Sequence, residues 1–219
     1  MIFKTLNIDS SSPNNHLTKD CLLLVEGTDE ARVFEGLLKH HGLENEVLIL
    51  NYEGKDKLGM QLSVIKTFTN YPKVKVIGVT GDADKNAPDA FVNIKAILEK
   101  NGYLAPNRPN EVISGSGLAI GIFIIPGGDQ GGALEDLLLK SVQNNKGFEC
   151  VDQFLDCFQR ETQKKIKNIS KAKVQAFLSG QEISKRSPGD ATDVGYWDFS
   201  HSVWEPFSNF VKLLVDSRT

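Results

Sequence analysis

Glu26, Asp82 and Asp84 are the residues whose types and setting best suit chemistry in this chain. Glu26 follows the apolar run Cys21–Val25, and the two aspartates follow a second apolar run that ends at Val79. Carboxylates brought together repel one another unless a proton or a cation lies between them. Hard oxygen donors of this kind favour Mg²⁺, Mn²⁺ or Ca²⁺. Gly27 and Gly81 flank the acids and would let backbone and ligand approach closely. Plainer readings compete. An acid after a strand is often a helix cap or a solvated turn residue, Asp84 could cap the helix that follows it, and Asp29 reads as a cap.

The convergence of these acids depends on the elements that carry them. Cys21–Val25 is a short, continuous apolar run bounded by turn residues, as expected of a strand buried on both faces. Apolar residues at helical spacing predict a helix over 30–40, with Thr28 or Asp29 as its cap and Gly42 as its stop. Further strands are predicted at 46–51, 73–79 and Leu118–Ile125, with helices at 58–69, 88–101 and 133–141. This alternation predicts an α/β fold: a mostly parallel sheet flanked by helices over residues 1–145. Residues 146–219 read as a helical C-terminal extension packed on it, with helices at 151–166, 173–178 and 204–215. In such a sheet ligands bind beyond the carboxyl ends of the strands. If the strands ending at Glu26 and at Asp82 are neighbours, three carboxylates meet at one edge.

Composition bounds what those acids could serve. The 219 residues carry a formal net charge of −3, so nucleic-acid contact would have to come from a local patch. The three cysteines show no metal-binding spacing and suit a reducing cytoplasm. The first twenty residues lack the apolar core of a secretory signal, and residues 10–15 read as a loop. No apolar run is long enough to span a bilayer, so a cytoplasmic protein without membrane association is expected.

Val25, Glu26 and Gly27 after an apolar strand, with an Asp-x-Asp at Asp82 and Asp84 after a later strand, resemble the Toprim domain. That domain occurs in topoisomerases, primases, recombination proteins and OLD-type nucleases. The resemblance spans residues 21–140 and is nearest the OLD-like and stand-alone branches. Those branches share an acid one turn into the first helix, here Glu30, and a strand–Pro–turn–Leu–Glu segment, here Ile125 and Pro126 through Leu134 and Glu135. The resemblance implies a Mg²⁺- or Mn²⁺-dependent nuclease acting on DNA or RNA, in phage defence or nucleic-acid repair. It implies that Asp82 and Asp84 hold metal and that Glu26 binds metal or acts as general acid/base. Glu30 and Glu135 would hold a second metal, and Lys171 or Lys173 would supply a catalytic lysine. The chain has no Walker A sequence. The rival reading is therefore a catalytically weak module that works with a separate ATPase or sensor.

Other motifs have plainer readings. Ser114, Gly115, Ser116 and Gly117 precede a strand and read as a flexible loop. The glycine-rich segment 127–132 lies between a strand and a helix, where its amides could face a phosphate. Arg160, Lys164, Lys165, Lys167, Lys171 and Lys173 form a basic run that could follow a nucleic-acid backbone or face solvent. Tyr196, Trp197, Phe199, Trp204, Phe207 and Phe210 read as docking the terminal helix rather than as base-stacking rings. A haloacid-dehalogenase phosphatase would need Thr or Val where Asn86 stands.

Overall fold

The computed structural model describes residues 16–129 and 131–218, and the backbone of residues 4 and 5. The loop expected at 10–15 lies outside the described residues. Alternating apolar side chains make each central strand two-faced. In β2 (Cys21–Val25), Cys21, Leu23 and Val25 join the core on one side of the sheet and Leu22 and Leu24 the core on the other. All five residues are buried, which explains why the run reads as uniformly apolar. In chain order, the elements on either side of it are β1 (Lys4–Thr5), α1 (Thr28–His40), β3 (Val47–Asn51), α2 (Leu58–Ile65), β4 (Val76–Asp82) and α3 (Ala87–Lys100). They continue with β5 (Val112–Gly115), β6 (Leu118–Ile125), α4 (Leu134–Ser141), α5 (Phe148–Thr162), α6 (Ile169–Ser179), α7 (Pro188–Thr192) and α8 (Glu205–Asp216).

The strands form one sheet in the order β1-β3-β2-β4-β6-β5. All neighbours are parallel except β5, which pairs antiparallel with β6. The α/β architecture is therefore as expected, with one addition. Ser114 and Gly115 belong to β5, and Ser116 (φ 52°) and Gly117 (φ 82°) make the tight turn into β6. Two successive residues with positive φ suit a two-residue hairpin turn, so this segment is a strand end and turn, not a loose loop.

Helices α2 and α3 cover one face of the sheet; α1 and α4 to α8 cover the other. Helix α8 lies directly on β4 and β6, where small residues admit it. A Cβ at Gly78 would come within 2.4 Å of Leu214 Cδ1, and one at Gly121 within 2.8 Å of Phe210 Cε2. Phe207 and Phe210 of α8 serve this packing through Phe123 of β6, whereas Trp197 stacks on Phe177 of α6. Trp197, Trp204, Phe207 and Phe210 are buried, and the Phe207 ring stacks on Phe34 with centroids 4.0 Å apart. Their faces are covered by protein, in keeping with docking. Helix α5 ends at Thr162, short of the 166 expected, because Gln163 turns left-handed (φ 56°). Helix α7 was not foreseen; Arg32 of α1 pairs with Asp190 and Asp193 around it. Among the described residues no helix is long and apolar enough to cross a membrane.

Candidate functional site

Strands β2 and β4 are hydrogen-bonded neighbours, with Leu24 level with Val79. Carrying that register two residues further sets Glu26 level with Gly81, beside Asp82 at the end of β4. The chain leaves β2 toward β3 on one side and later returns to form β4 on the other. The acids therefore stand at the switch point of the sheet, where a crevice opens beyond the strand ends.

Local structure gathers more acid there. Helix α1 begins at Thr28 with no side-chain cap; the Glu30 carboxylate bends back instead to accept from the Glu26 and Gly27 amides, the latter at 3.1 Å. Neither Thr28 nor Asp29 caps the helix: Thr28 Oγ1 accepts from the Asn51 side-chain amide at 3.1 Å, and Asp29 accepts from the Gly189 backbone amide at 3.0 Å. Glu30 is only 5% exposed, and its Oε1 is buried without a hydrogen-bond partner, as is Oε2 of Glu26. On the far side, Asp82 accepts from the Leu134 amide at 3.2 Å, which brings the first turn of α4 and Glu135 to the acids. Glu26, Glu30, Asp82 and Glu135 line one small cavity of about 280 Å³. It adjoins a larger cleft of about 1040 Å³ that also receives Asp84, Lys55 and Lys167.

The loops around the acids are tied by backbone. Asp84 and Gly132 exchange N–H···O bonds of 2.9 Å in both directions. A Cβ at Gly131 would meet the Asp84 carbonyl at 2.5 Å, so this close approach requires glycine. The glycine-rich segment thus closes onto the Asp-x-Asp turn; Gln130 within it lies outside the described residues. Asp84 itself sits at φ 49° and does not cap α3; Asn86 does.

Burial and repulsion hold Glu26, Glu30 and Asp82 toward their neutral forms. Asp82 is pushed up to about 7, by burial first, then by Glu26 and Glu135, with Lys55 opposing. Glu30 is raised well above the usual carboxylate range by burial, Asp82 and Glu26. Glu26 is raised by burial, against which Lys55 acts. Such a site gains from a positive charge, and its all-oxygen donor set suits Mg²⁺ or Mn²⁺. The two orphaned buried oxygens are ready acceptors. Even so, among the described residues no three His, Cys, Asp or Glu side chains are drawn into a group that could hold a metal ion as they stand. The backbone brings the acids to one edge; their side chains would have to turn inward to ligate.

The basic residues are arranged differently from the sequence expectation. Lys173 pairs with Asp152 of α5 at 2.8 Å, and neither it nor Lys171 lines the cleft. Lysines 55, 85 and 167 do. Lys55, which forms an ion pair with Asp84, was not singled out from sequence. The available signal was positional: Lys55 follows β3, and every loop after a parallel strand falls on the same edge. Asp136 and Ser170 were also missed. One Asp136 oxygen accepts from the Ala133 amide at 2.8 Å and the other from the Ser170 hydroxyl at 2.7 Å, which clasps the start of α6 to α4 beside the cleft.

Fold and site together define an α/β protein with an acidic cleft at the switch point of a mostly parallel sheet. The chain belongs to the family described as protein of unknown function DUF3226, whose model matches residues 20–216. No curated protein matches the sequence. The crystal structure of a hypothetical protein from Pyrococcus horikoshii OT3 is similar in fold, with a TM-score of 0.60 at 15% identity over 90% of this chain and 95% of that one. The C-terminal region of the Xanthomonas campestris pv. campestris OLD protein aligns over 92% of this chain and 97% of its own, at 9% identity and a TM-score of 0.42. At that level the second likeness adds nothing to the reading of the site.

Proposed function

We propose that the protein is a Mg²⁺- or Mn²⁺-dependent phosphodiester hydrolase acting on DNA or RNA. The observation that carries the metal is the cavity shared by Glu26, Glu30, Asp82 and Glu135, with two buried carboxylate oxygens lacking partners. The choice of a phosphodiester rests on the Toprim resemblance of Glu26, Asp82 and Asp84. In this reading Asp82 and Asp84 hold metal, Glu26 binds metal or moves a proton, and Glu30 and Glu135 serve a second ion. Bound metal would supply charge stabilisation and an activated water. The protein's part is to place the carboxylates at the switch point and to offer cations along the cleft. Lys55 and Lys167 line it and are candidates to meet substrate phosphates, whereas Lys171 and Lys173 lie outside it.

Cleavage of plasmid, single-stranded DNA and RNA by the wild type and by Asp82→Ala, with Mg²⁺ or Mn²⁺, tests the proposal. Loss of a metal carboxylate should cost at least about 100-fold in rate. Equal cleavage by both proteins would place the activity elsewhere. Absence of cleavage by the wild type would favour the rival reading, an interaction module that acts with a separate ATPase or sensor.

A further inference from the structure

We propose that Lys55 is a tethered counter-ion of the acidic edge, seated against Asp84 where a divalent cation would bind, and that metal binding proceeds by exchange with it. The inference rests on the reading that these acids take a metal, and it adds a residue and a competition to that reading.

Three observations support the exchange. First, Lys55 is placed by construction. Asn51, the last residue of β3, accepts from the Glu53 amide at 2.8 Å and donates to Thr28 Oγ1 at 3.1 Å. Glu53 and Gly54 then turn at φ 62° and 107°, and Lys55 starts a short 3-10 turn over the strand ends. Second, Lys55 answers the whole cluster and not one partner. It lines one cleft with Glu26, Asp82, Asp84 and Glu135, so its ammonium stands before four carboxylates. Third, the pair can open. The Lys55 and Asp84 side chains are 48% and 63% exposed, so water can replace each partner. A lysine is a compact point charge on a flexible stem, suited to leave one carboxylate and settle on another anion in the same cleft.

The exchange has a measurable consequence. An incoming cation must displace Lys55 and also meets its repulsion. Replacing the ammonium with an uncharged side chain of similar length should therefore tighten Mn²⁺ binding. The full chain and its Lys55→Met, Lys55→Arg, Asp84→Asn and Lys55→Met/Asp84→Asn variants would be titrated with Mn²⁺ at low ionic strength. Binding would be followed by calorimetry and by the loss of the free-ion paramagnetic resonance signal. Lys55→Met should bind roughly two- to fivefold tighter than wild type, and Lys55→Arg should not. The gain should shrink when Asp84 is already Asn, because only the repulsion then remains to be relieved. Unchanged or weaker binding by Lys55→Met, an equal gain in the Asp84→Asn background, or no Mn²⁺ binding by any of the proteins would overturn the exchange. Cleavage assays on the same preparations separate this inference from the hydrolase reading. A Lys55→Met gain without cleavage removes the hydrolase and leaves the exchange; cleavage without the gain does the reverse.

Discussion

At Asp82 the fold asks a carboxylate to sit among Glu26, Glu135 and Asp84 with most of its water removed. The native state keeps the Asp82 proton up to about pH 7, whereas the unfolded chain loses it near 3.8. Between those values unfolding releases a proton, so stability falls as pH rises through the window and levels off above it. Asp82→Asn keeps an oxygen for the Leu134 amide but removes the charge. Its melting temperature should match wild type near pH 4 and exceed it by several degrees at pH 8, from a contribution on the order of 4 kcal/mol. Thermal melts across pH check this, and a higher wild-type melting point at pH 8 would contradict it. Added Mn²⁺ should narrow the difference at pH 8, because the ion supplies the charge that the mutation makes unnecessary. For the same reason Mn²⁺ affinity of the wild type should rise between pH 6 and 8, as ligation requires the deprotonated acid.

At the scale of elements, α8 depends on missing side chains beneath it. Gly121→Val should force Phe210 and Leu214 off β6 and cost about 1–3 kcal/mol, read as a shift of the urea midpoint. The same substitution at exposed Gly128, where a Cβ meets nothing within 4 Å, should have little effect on that midpoint. These glycines also mark what sequence conveys and what it does not. Strands such as Cys21–Val25 announce themselves by unbroken apolar character, and α1 by helical spacing. Gly78 and Gly121 look like interruptions until α8 is laid on them. The edge strand β5 is half-buried and only four residues long, Val and Ile followed by Ser and Gly, too short for a periodic signal, so its Ser and Gly residues read as loop. Glu26 and Asp82 were legible because each closes a strand. Lys55 was not, because an isolated lysine after a turn resembles any solvated residue until its loop is placed over the neighbouring strand ends. The alignment of Lys173 with Asp152 likewise depends on how α5 packs on α6, which no local pattern encodes.

On the scale of the whole molecule, the helices after residue 145 share a core with the sheet. Val151, Leu155, Val174, Phe177, Trp204 and Phe207 are buried in one cluster with Val33, Phe34, Leu137 and Leu138. A chain truncated after residue 145 would leave that face of α1 and α4 exposed. It should bind a hydrophobic dye, lose a sharp melting transition and associate, whereas the full chain should unfold in one cooperative step. Size-exclusion chromatography and calorimetry of the two would decide. The pairing of Glu26 O with the Gly54 amide and of Asp84 with Gly132 bears on ligand capture at this same scale. Both loops that carry the acids are latticed to a neighbour before any ion arrives. The amide hydrogens of Gly54, Asp84 and Gly132 should therefore trade with deuterium slowly even in the free protein. Loading with Mn²⁺ should barely change those rates, and reorganisation on binding would be confined to the rotamers of the acids and of Lys55.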